Sequence, residues 1–328
     1  MTQAVSILTP VYNVSNFIER CAHSLFQQTF ENIEYVFVND CTPDDSIEKL
    51  KKVIEQYPNR KNFVKIINHE KNKGPCAARN TAIDNSSGKY IQYIDSDDWI
   101  EPDMIEKMYN KAETEQADIV VCDFILEKIN TKSICRAFVP QNQKEYFSCM
   151  LENEKSYASL CNKFIRKKFF ELSDCRSSEE LNISEDWYIS LQLYYYAKKI
   201  VKIDKAFYHY EKTNINSLTS SKTIIHYENK KQFYELLGKF LKEKGLYEKY
   251  FDIVEKSKVL SKTDLFIKTK DYKLRKKYAN LYRDIELKYL KFLQLGEKTV
   301  IILTHFKFYF LAHLAIKFIH WKNRKHIT

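Results

Sequence analysis

Three carboxylates crowd one short stretch of this 328-residue sequence: Asp95, Asp97 and Asp98 follow the apolar run Tyr90-Ile-Gln-Tyr-Ile94. Clustered carboxylates repel one another unless a cation lies among them. A divalent cation held there would neutralise the charge that builds on a departing diphosphate. The same turn would also serve as an ordinary helix entry, because Asp caps helices and Pro102 follows. A second acidic pair, Glu185-Asp186, precedes an amphipathic segment, and a carboxylate so placed can take a proton from an attacking hydroxyl. Helix capping is the plainer reading of that pair.

The elements that must position these groups are read from periodicity. Val5–Thr9, Tyr35–Val38, Phe63–Ile67, Tyr90–Ile94 and Ile119–Phe124 are short apolar runs expected as strands. Between them lie helical patterns. The first has Asn16 and Glu19 as a capping box before Phe17, Ile18, Cys21, Ala22, Leu25 and Phe26. The second has Ile47, Leu50, Val53, Ile54 and Tyr57, the third runs from Pro75 to about Asn85, and a fourth follows Pro102. Strict βα alternation implies a mostly parallel α/β sheet with helices on both faces, and ligands outside the carboxyl ends of its strands. Those ends carry Thr9-Pro10-Val11-Tyr12-Asn13, then Asn39-Asp40, then Asp95-Ser96-Asp97-Asp98. Helices are expected near Ser156–Glu171 and Asp186–Lys199, with two further apolar runs at 200–203 and 206–210.

Four motifs in the first 100 residues resemble family 2 glycosyltransferases, which have the GT-A fold: Val5-Ser-Ile-Leu-Thr-Pro-Val-Tyr-Asn13, Val36-Phe-Val-Asn-Asp40, Asn68 to Asn80 with Asn72-Lys-Gly74 and Ala77-Ala-Arg-Asn80, and Asp95-Ser-Asp97 as the DxD. The resemblance implies a GT-A domain over 1–220, Rossmann-like, transferring a sugar from a nucleotide-sugar donor to an acceptor hydroxyl with inversion. It places Pro10, Tyr12, Asn13, Asp40, Arg79, Asp95 and Ser96 on the donor side. Asp95 and Asp97 would hold Mn2+ or Mg2+. The guanidinium of Arg79 suits diphosphate oxygens or a base face. Asp186 matches the family's base in its "E-D" motif, and Glu185 would assist. Leu160-Cys-Asn-Lys-Phe-Ile-Arg-Lys167 is similar to an acceptor-side stretch, which makes Asn162 and Lys163 candidates for the acceptor wall beside Asp98 and Trp187. Tyr208 to Thr219 resembles the segment that closes over the diphosphate, which brings in His209 as a third metal ligand or phosphate donor, Lys212 and Ser217. Two departures stand out: Cys41-Thr-Pro43 replaces the usual Gly-Ser-Thr, and Glu211 replaces an expected Arg.

Composition bounds the rest. Hydrophobic residues make up 44% and no long tract is biased, which excludes a disordered chain. Eight cysteines, none in a CxxC pair, read as reduced thiols, and the N-terminus has no secretory pattern, so a cytoplasmic location is expected. Residues 221–328 carry 25 Lys and Arg against 11 Asp and Glu, a net +14, whereas residues 1–220 carry 28 against 32. A lysine-rich helical region is expected over 221–298 and an apolar, basic amphipathic helix over 299–328. Its charges make it a poor membrane span but suit it to peripheral contact with the inner face of the cytoplasmic membrane, where a lipid-linked saccharide acceptor would lie. Packing on the chain's own core or on a second copy in a homo-oligomer is the rival use of that helix.

A sugar-nucleotidyltransferase would need a glycine-rich triphosphate loop where this chain has Pro10-Val-Tyr-Asn13. A nucleic-acid-binding protein would suit the basic third, but no nucleic-acid motif is present and no such partner is expected. The remaining partners are a nucleotide-sugar, with UDP favoured, and a glycan or lipid-linked acceptor of a cell-surface polysaccharide.

Overall fold

The computed structural model describes residues 3–140, 143–152, 159–172, 175–178, 181, 184–214, 224–269 and 271–325. The chain divides into two compact units, Met1–Ser217 and Leu218–Thr328.

The first unit is built on a nine-stranded sheet. Strands β1 (Val5–Val11), β2 (Ile33–Asn39), β3 (Val64–Asn68) and β4 (Tyr90–Tyr93) pair in parallel in the order β3-β2-β1-β4. Beyond β4 the sheet turns mixed. The strand β8 (Lys163–Arg166) runs antiparallel between β4 and β6 (Ile119–Glu127), and β9 (Ile200–Glu211) lies parallel to β6 on its other side. The short β5 (Trp99–Ile100) closes that edge against β9, and β7 (Lys132–Cys135) forms a hairpin with β6.

Six of the seven β2 side chains are buried, as a strand covered on both faces requires. The cover comes from amphipathic helices. On α1 (Ile18–Phe26) and α2 (Ser46–Ile54) the expected apolar positions are the buried ones: Ile18, Cys21, Ala22, Leu25 and Phe26 on the first, Ile47, Leu50, Val53 and Ile54 on the second. A one-turn α3 (Pro58–Lys61), α4 (Pro75–Asp84), α5 (Met104–Thr114), α6 (Gln143–Glu152) and α7 (Glu185–Tyr196) complete this unit.

Three expectations need correction. Asn16 caps nothing: α1 starts at Ile18 without a side-chain cap, and the Phe17 and Ile18 amides donate to the Val14 carbonyl. The helix expected over Ser156–Glu171 is, where described, the strand β8 followed by a 3-10 turn at Lys167–Glu171, because Phe164 and Ile165 fill the sheet between β4 and β6. The apolar runs at 200–203 and 206–210 are one strand, β9, whose register against β6 shifts around Asp123.

The second unit is helical: α8 (Ile224–Glu243), α9 (Tyr247–Lys268), α10 (Tyr272–Lys277), a 3-10 stretch Glu286–Phe292, α11 (Leu295–His305) and α12 (Tyr309–Lys325). Tyr227, Leu265, Phe266, Leu274 and Tyr278 form a core within it. The segment expected as a single helix from residue 299 is broken into α11 and α12, with Lys307 in the left-handed region at φ 65°. Among the described residues no helix is long and apolar enough to cross a membrane. The eight cysteines are present as thiols.

Candidate active site

The acidic turn leaves the carboxyl end of β4 and is anchored by β9. Asp98 is buried; its carboxylate accepts the Glu211 amide at 2.7 Å and a hydrogen bond from the Tyr208 hydroxyl, which also receives the Asp95 amide at 3.2 Å. Burial, then the charges of Asp97 and Asp95, hold the Asp98 carboxyl well above the ordinary range. Asp98 therefore faces the interior and holds the turn, which corrects its assignment to the acceptor side. Ser96 is likewise buried.

The pair left for chemistry is Asp95 and Asp97. Asp97 accepts from the Asn214 side-chain amide at 2.9 Å, and burial followed by the Asp95 charge raises its pKa. Two neighbouring carboxylates in a partly buried turn form a donor set that fits a divalent cation. Such an ion takes one or two carboxylates and completes its shell with substrate phosphates and water. Among the described residues no three His, Cys, Asp or Glu side chains are gathered into a protein cage.

His209 is not the third member. Its Nδ1 lies 2.8 Å from Glu127 and its Nε2 2.9 Å from Glu101, and the ring stacks on Trp99. Both nitrogens are engaged by those carboxylates. Its neighbour Tyr208 reaches the acidic turn instead, since adjacent strand residues point to opposite faces.

Arg79, on α4, is the hub of the site. Its Nη1 lies 2.6 Å from Glu185 and 3.3 Å from Asp186, and its Nη2 lies 3.2 Å from Asp95. The side chain is only 7% exposed. The open donor contact expected of Arg79 is thus replaced by an interior guanidinium bridging three carboxylates. Glu185 and Asp186 open α7 directly after Ser184, a non-glycine residue at φ 72°. Such a residue costs energy to hold and is concentrated at functional sites. Burial, then the charge of Asp186, pushes Glu185 up to about 7. Burial also raises Asp186, against the pull of Arg79. The Asp186 Oδ1 is buried and has no hydrogen bond among the described residues, although it faces the guanidinium.

Behind this pair lie Asn162 and Lys163, both buried. The Asn162 amide donates to the Cys122 carbonyl at 2.9 Å, and the Lys163 ammonium donates to the Ser159 carbonyl and to Asn162 Oδ1. Burial lowers the Lys163 pKa to about 8, partly offset by the negative groups around it, Asp186 included. They back the site from inside instead of lining an acceptor wall. Trp187 is core, with its indole N–H on the Met150 carbonyl at 3.1 Å, which corrects the expectation that it stacks on a sugar.

On the opposite side, Asp40 is buried and accepts the amides of Lys73 and Gly74, each at 2.8 Å, and His69 Nδ1 at 2.7 Å. Its carboxylate pins the loop entering α4, a structural role beside the contact with a donor base expected of it. Gly74, at φ 86°, takes a left-handed turn that favours glycine. At the end of β1, Tyr12 is exposed, and the Asn13 amide donates to Thr42 Oγ1 at 2.8 Å. The Thr42 hydroxyl, in the stretch Cys41-Thr-Pro43, thereby ties the first two loops together. Pro10 is partly buried in β1, and the exposed Lys212 has its ammonium 4.2 Å from the Tyr210 ring centroid. Ser217 lies outside the described residues.

Motif reading missed Arg20. This α1 residue donates to the Asp97 carbonyl at 3.0 Å, pairs with Glu211 at 2.9 Å and lies 3.6 Å from the Trp99 ring centroid. Glu211, where an Arg was expected, is thus the partner of an arginine from another element. Only the polar face of α1 hinted at it.

The sheet and its covering helices are those of a GT-A glycosyltransferase. Residues 6–172 match Glycosyl transferase family 2, and the chain belongs to that family. It is 32% identical over 256 residues to the putative glycosyltransferase EpsH of Bacillus subtilis, covering 76% of this chain and 72% of that one. Against two further glycosyltransferase relatives the match spans 64% and 30% of their lengths, so parts of those proteins have no counterpart in it. Among solved structures, TarS 1-349 of S. aureus in complex with UDP superposes with a TM-score of 0.66 at 20% identity, covering 97% of this chain and 92% of that one. The mannosyltransferase PcManGT from Pyrobaculum calidifontis, in complex with GDP-Man and Mn2+, superposes with a TM-score of 0.53 at 11% identity, over 100% and 88% of the two chains.

Proposed function

We propose that this glycosyltransferase moves a hexosyl or N-acetylhexosaminyl group from a UDP-sugar to a hydroxyl of a glycan or lipid-linked saccharide, with inversion, in the synthesis of a surface polysaccharide. The observation that carries the reading is the Arg79 bridge, which ties the Asp95 side of the acidic turn to the Glu185-Asp186 pair. A divalent cation at Asp95 and Asp97, when bound, would supply the positive charge that stabilises a leaving diphosphate. Asp186 is the base. Its Oδ1 lacks a hydrogen-bond donor among the described residues, and an acceptor hydroxyl would provide one, with the proton passing to that oxygen as the hydroxyl attacks. Arg79 orients Asp186 and holds Glu185 beside it. With one base and no carboxylate nucleophile at the anomeric carbon, direct displacement reverses configuration. The fold shared with the UDP complex of TarS supports the choice of UDP.

The test is a panel of UDP- and GDP-sugars with manganese or magnesium. Turnover with one UDP-sugar, lost with chelator and lost in both Asp97→Asn and Asp186→Asn, is expected. Turnover unchanged in those variants would sink the assignment.

A further inference from the structure

The helical unit contains a cavity of about 640 Å3 that the chemistry above does not use. It lies along α8 and α9 and includes Leu281 and Tyr282 in its wall. Three lysines of α8, Lys231, Lys239 and Lys242, and Lys258 of α9 face it. From Lys231 to Lys242 the helix advances about 16 Å, so its charges are spread along a line instead of focused on one point. That spacing suits an extended chain bearing repeated negative groups better than a single small anion.

The rest of the lining narrows the chemistry. Glu235 stands between the lysines and Glu243 just beyond them, and both are only loosely engaged, 3.7 Å from Lys231 and 4.0 Å from Lys239. Lys258 is held closely by Glu255 at 2.5 Å. Carboxylates among lysines oppose a densely charged phosphodiester backbone, yet they accept hydrogen bonds from sugar hydroxyls. Three tyrosines add ring faces and polar tips. Tyr234 has its hydroxyl engaged by Ser257 and Ser261, each at 2.8 Å, and Lys242 lies 5.0 Å from the ring centroid of Tyr247. Tyr282 differs. Its backbone is left-handed at φ 54°, and its hydroxyl is buried in the cavity wall with no hydrogen-bond partner among the described residues. A buried hydroxyl without a partner calls for an explanation, and at a cavity wall water, an ion or a ligand group can each supply one.

We infer that this cavity binds a stretch of an anionic glycan chain, its negative groups on Lys231, Lys239 and Lys242 and a sugar hydroxyl on Tyr282. The inference rests on the proposed function in one respect, that the acceptor is a glycan. It adds a second binding site for that chain, built entirely within the helical unit.

The experiment titrates the full chain with a short phosphomannan oligosaccharide, the same oligosaccharide after phosphatase treatment, and polycytidylate. Metal-dependent hydrolysis of the donor without acceptor is measured in parallel. The Lys239→Gln/Lys242→Gln variant, altered only at exposed side chains, should bind phosphomannan at least tenfold more weakly, and Tyr282→Phe severalfold more weakly, with donor hydrolysis unchanged in both. Undiminished affinity in the double variant, equal binding of the dephosphorylated chain, or tighter binding of polycytidylate would each overturn the inference. Loss of donor hydrolysis in the unmodified chain would instead count against the proposed reaction and leave the titration readable.

Discussion

Arg79 carries more of the site's organisation than any other side chain. Its fork reaches Glu185 at 2.6 Å and Asp95 at 3.2 Å from different nitrogens, so one planar group sets the separation of the two acidic clusters. Lysine has a single point charge and cannot span both. Arg79→Lys should therefore keep the fold but misplace Asp186, lowering kcat by about 10²-fold, the scale of a 1 Å displacement, with a smaller change in KM. Steady-state kinetics on the donor identified by the panel would check the split. The same burial sets the pH response. A base must be deprotonated to act, and burial raises both Asp186 and Glu185, the latter to about 7. Activity should thus be full above neutral pH and fall as pH drops through the raised values, at a higher pH than ordinary carboxylates would give. A profile of kcat/KM that stays flat down to the ordinary carboxylate range would contradict this assignment of the base.

At the scale of elements, the loops at the sheet's edge are held by groups that motif matching treats as donor ligands. Asp40 is the clearest instance. Replacing it with Asn swaps one acceptor oxygen for a donor facing the Lys73 or Gly74 amide, which leaves a buried N–H unpaired at a cost of about 1–3 kcal/mol. Urea unfolding should show that loss in the midpoint. If Asp40→Asn instead weakened donor binding with stability unchanged, the carboxylate would be a ligand after all. Gly88 is a second joint: a Cβ there would lie 2.5 Å from the Ser6 backbone nitrogen, where β1 and β4 begin to pair. Gly88→Ala should cost about 1–3 kcal/mol by overpacking, seen as a lowered Tm.

These joints also explain what could be read in advance. Strands β1, β2 and β4 and helices α1 and α2 are legible because a two-sided parallel sheet forces continuous apolar runs and its helices a single buried face, whereas α4 is legible from Pro75 at its start. The strand β8 is not, because Phe164-Ile165 is too short a run for its period to distinguish strand from helix. In the site, Asp95, Asp97, Glu185 and Asp186 are proposed from type and order, and the structure joins Asp95 to Glu185 and Asp186 through Arg79. The partners that fix them are not legible in that way, since Arg79 to Glu185 and Arg20 to Glu211 are contacts across 106 and 191 residues. The assignment of His209 fails by one position, because on a strand that error turns a residue to the wrong face.

At the scale of the whole molecule, the basic charge and most of the exposed large apolar side chains belong to the C-terminal third. Helix α12 turns Ala312 and Ile316 inward, and its His320 reaches the Ile267 carbonyl at 2.7 Å, so that face is committed to its own unit. What remains outside is a stripe of Phe310, Leu311, Leu314, Phe318 and Trp321, with Phe310 66% and Phe318 61% exposed. Phe306 and Phe308, in the break before α12, extend it. An apolar stripe on a unit with net +14 suits the surface of an anionic bilayer, and we propose that its rings would enter the acyl boundary while the lysines meet headgroups. Packing on the chain's own core would have covered these rings, which are exposed. Full burial of one Phe is worth about 1.5–3 kcal/mol, so Phe310→Ser/Phe318→Ser should reduce binding to anionic vesicles by more than about tenfold even with partial immersion. Neither ring is needed for the fold, and Tm should hold. Flotation at low and high salt separates the contributions: salt should weaken the unmodified chain through its lysines, and the double variant should float poorly at either. Equal flotation of the two chains would assign the stripe to a protein surface, and sedimentation would then show a second copy covering it.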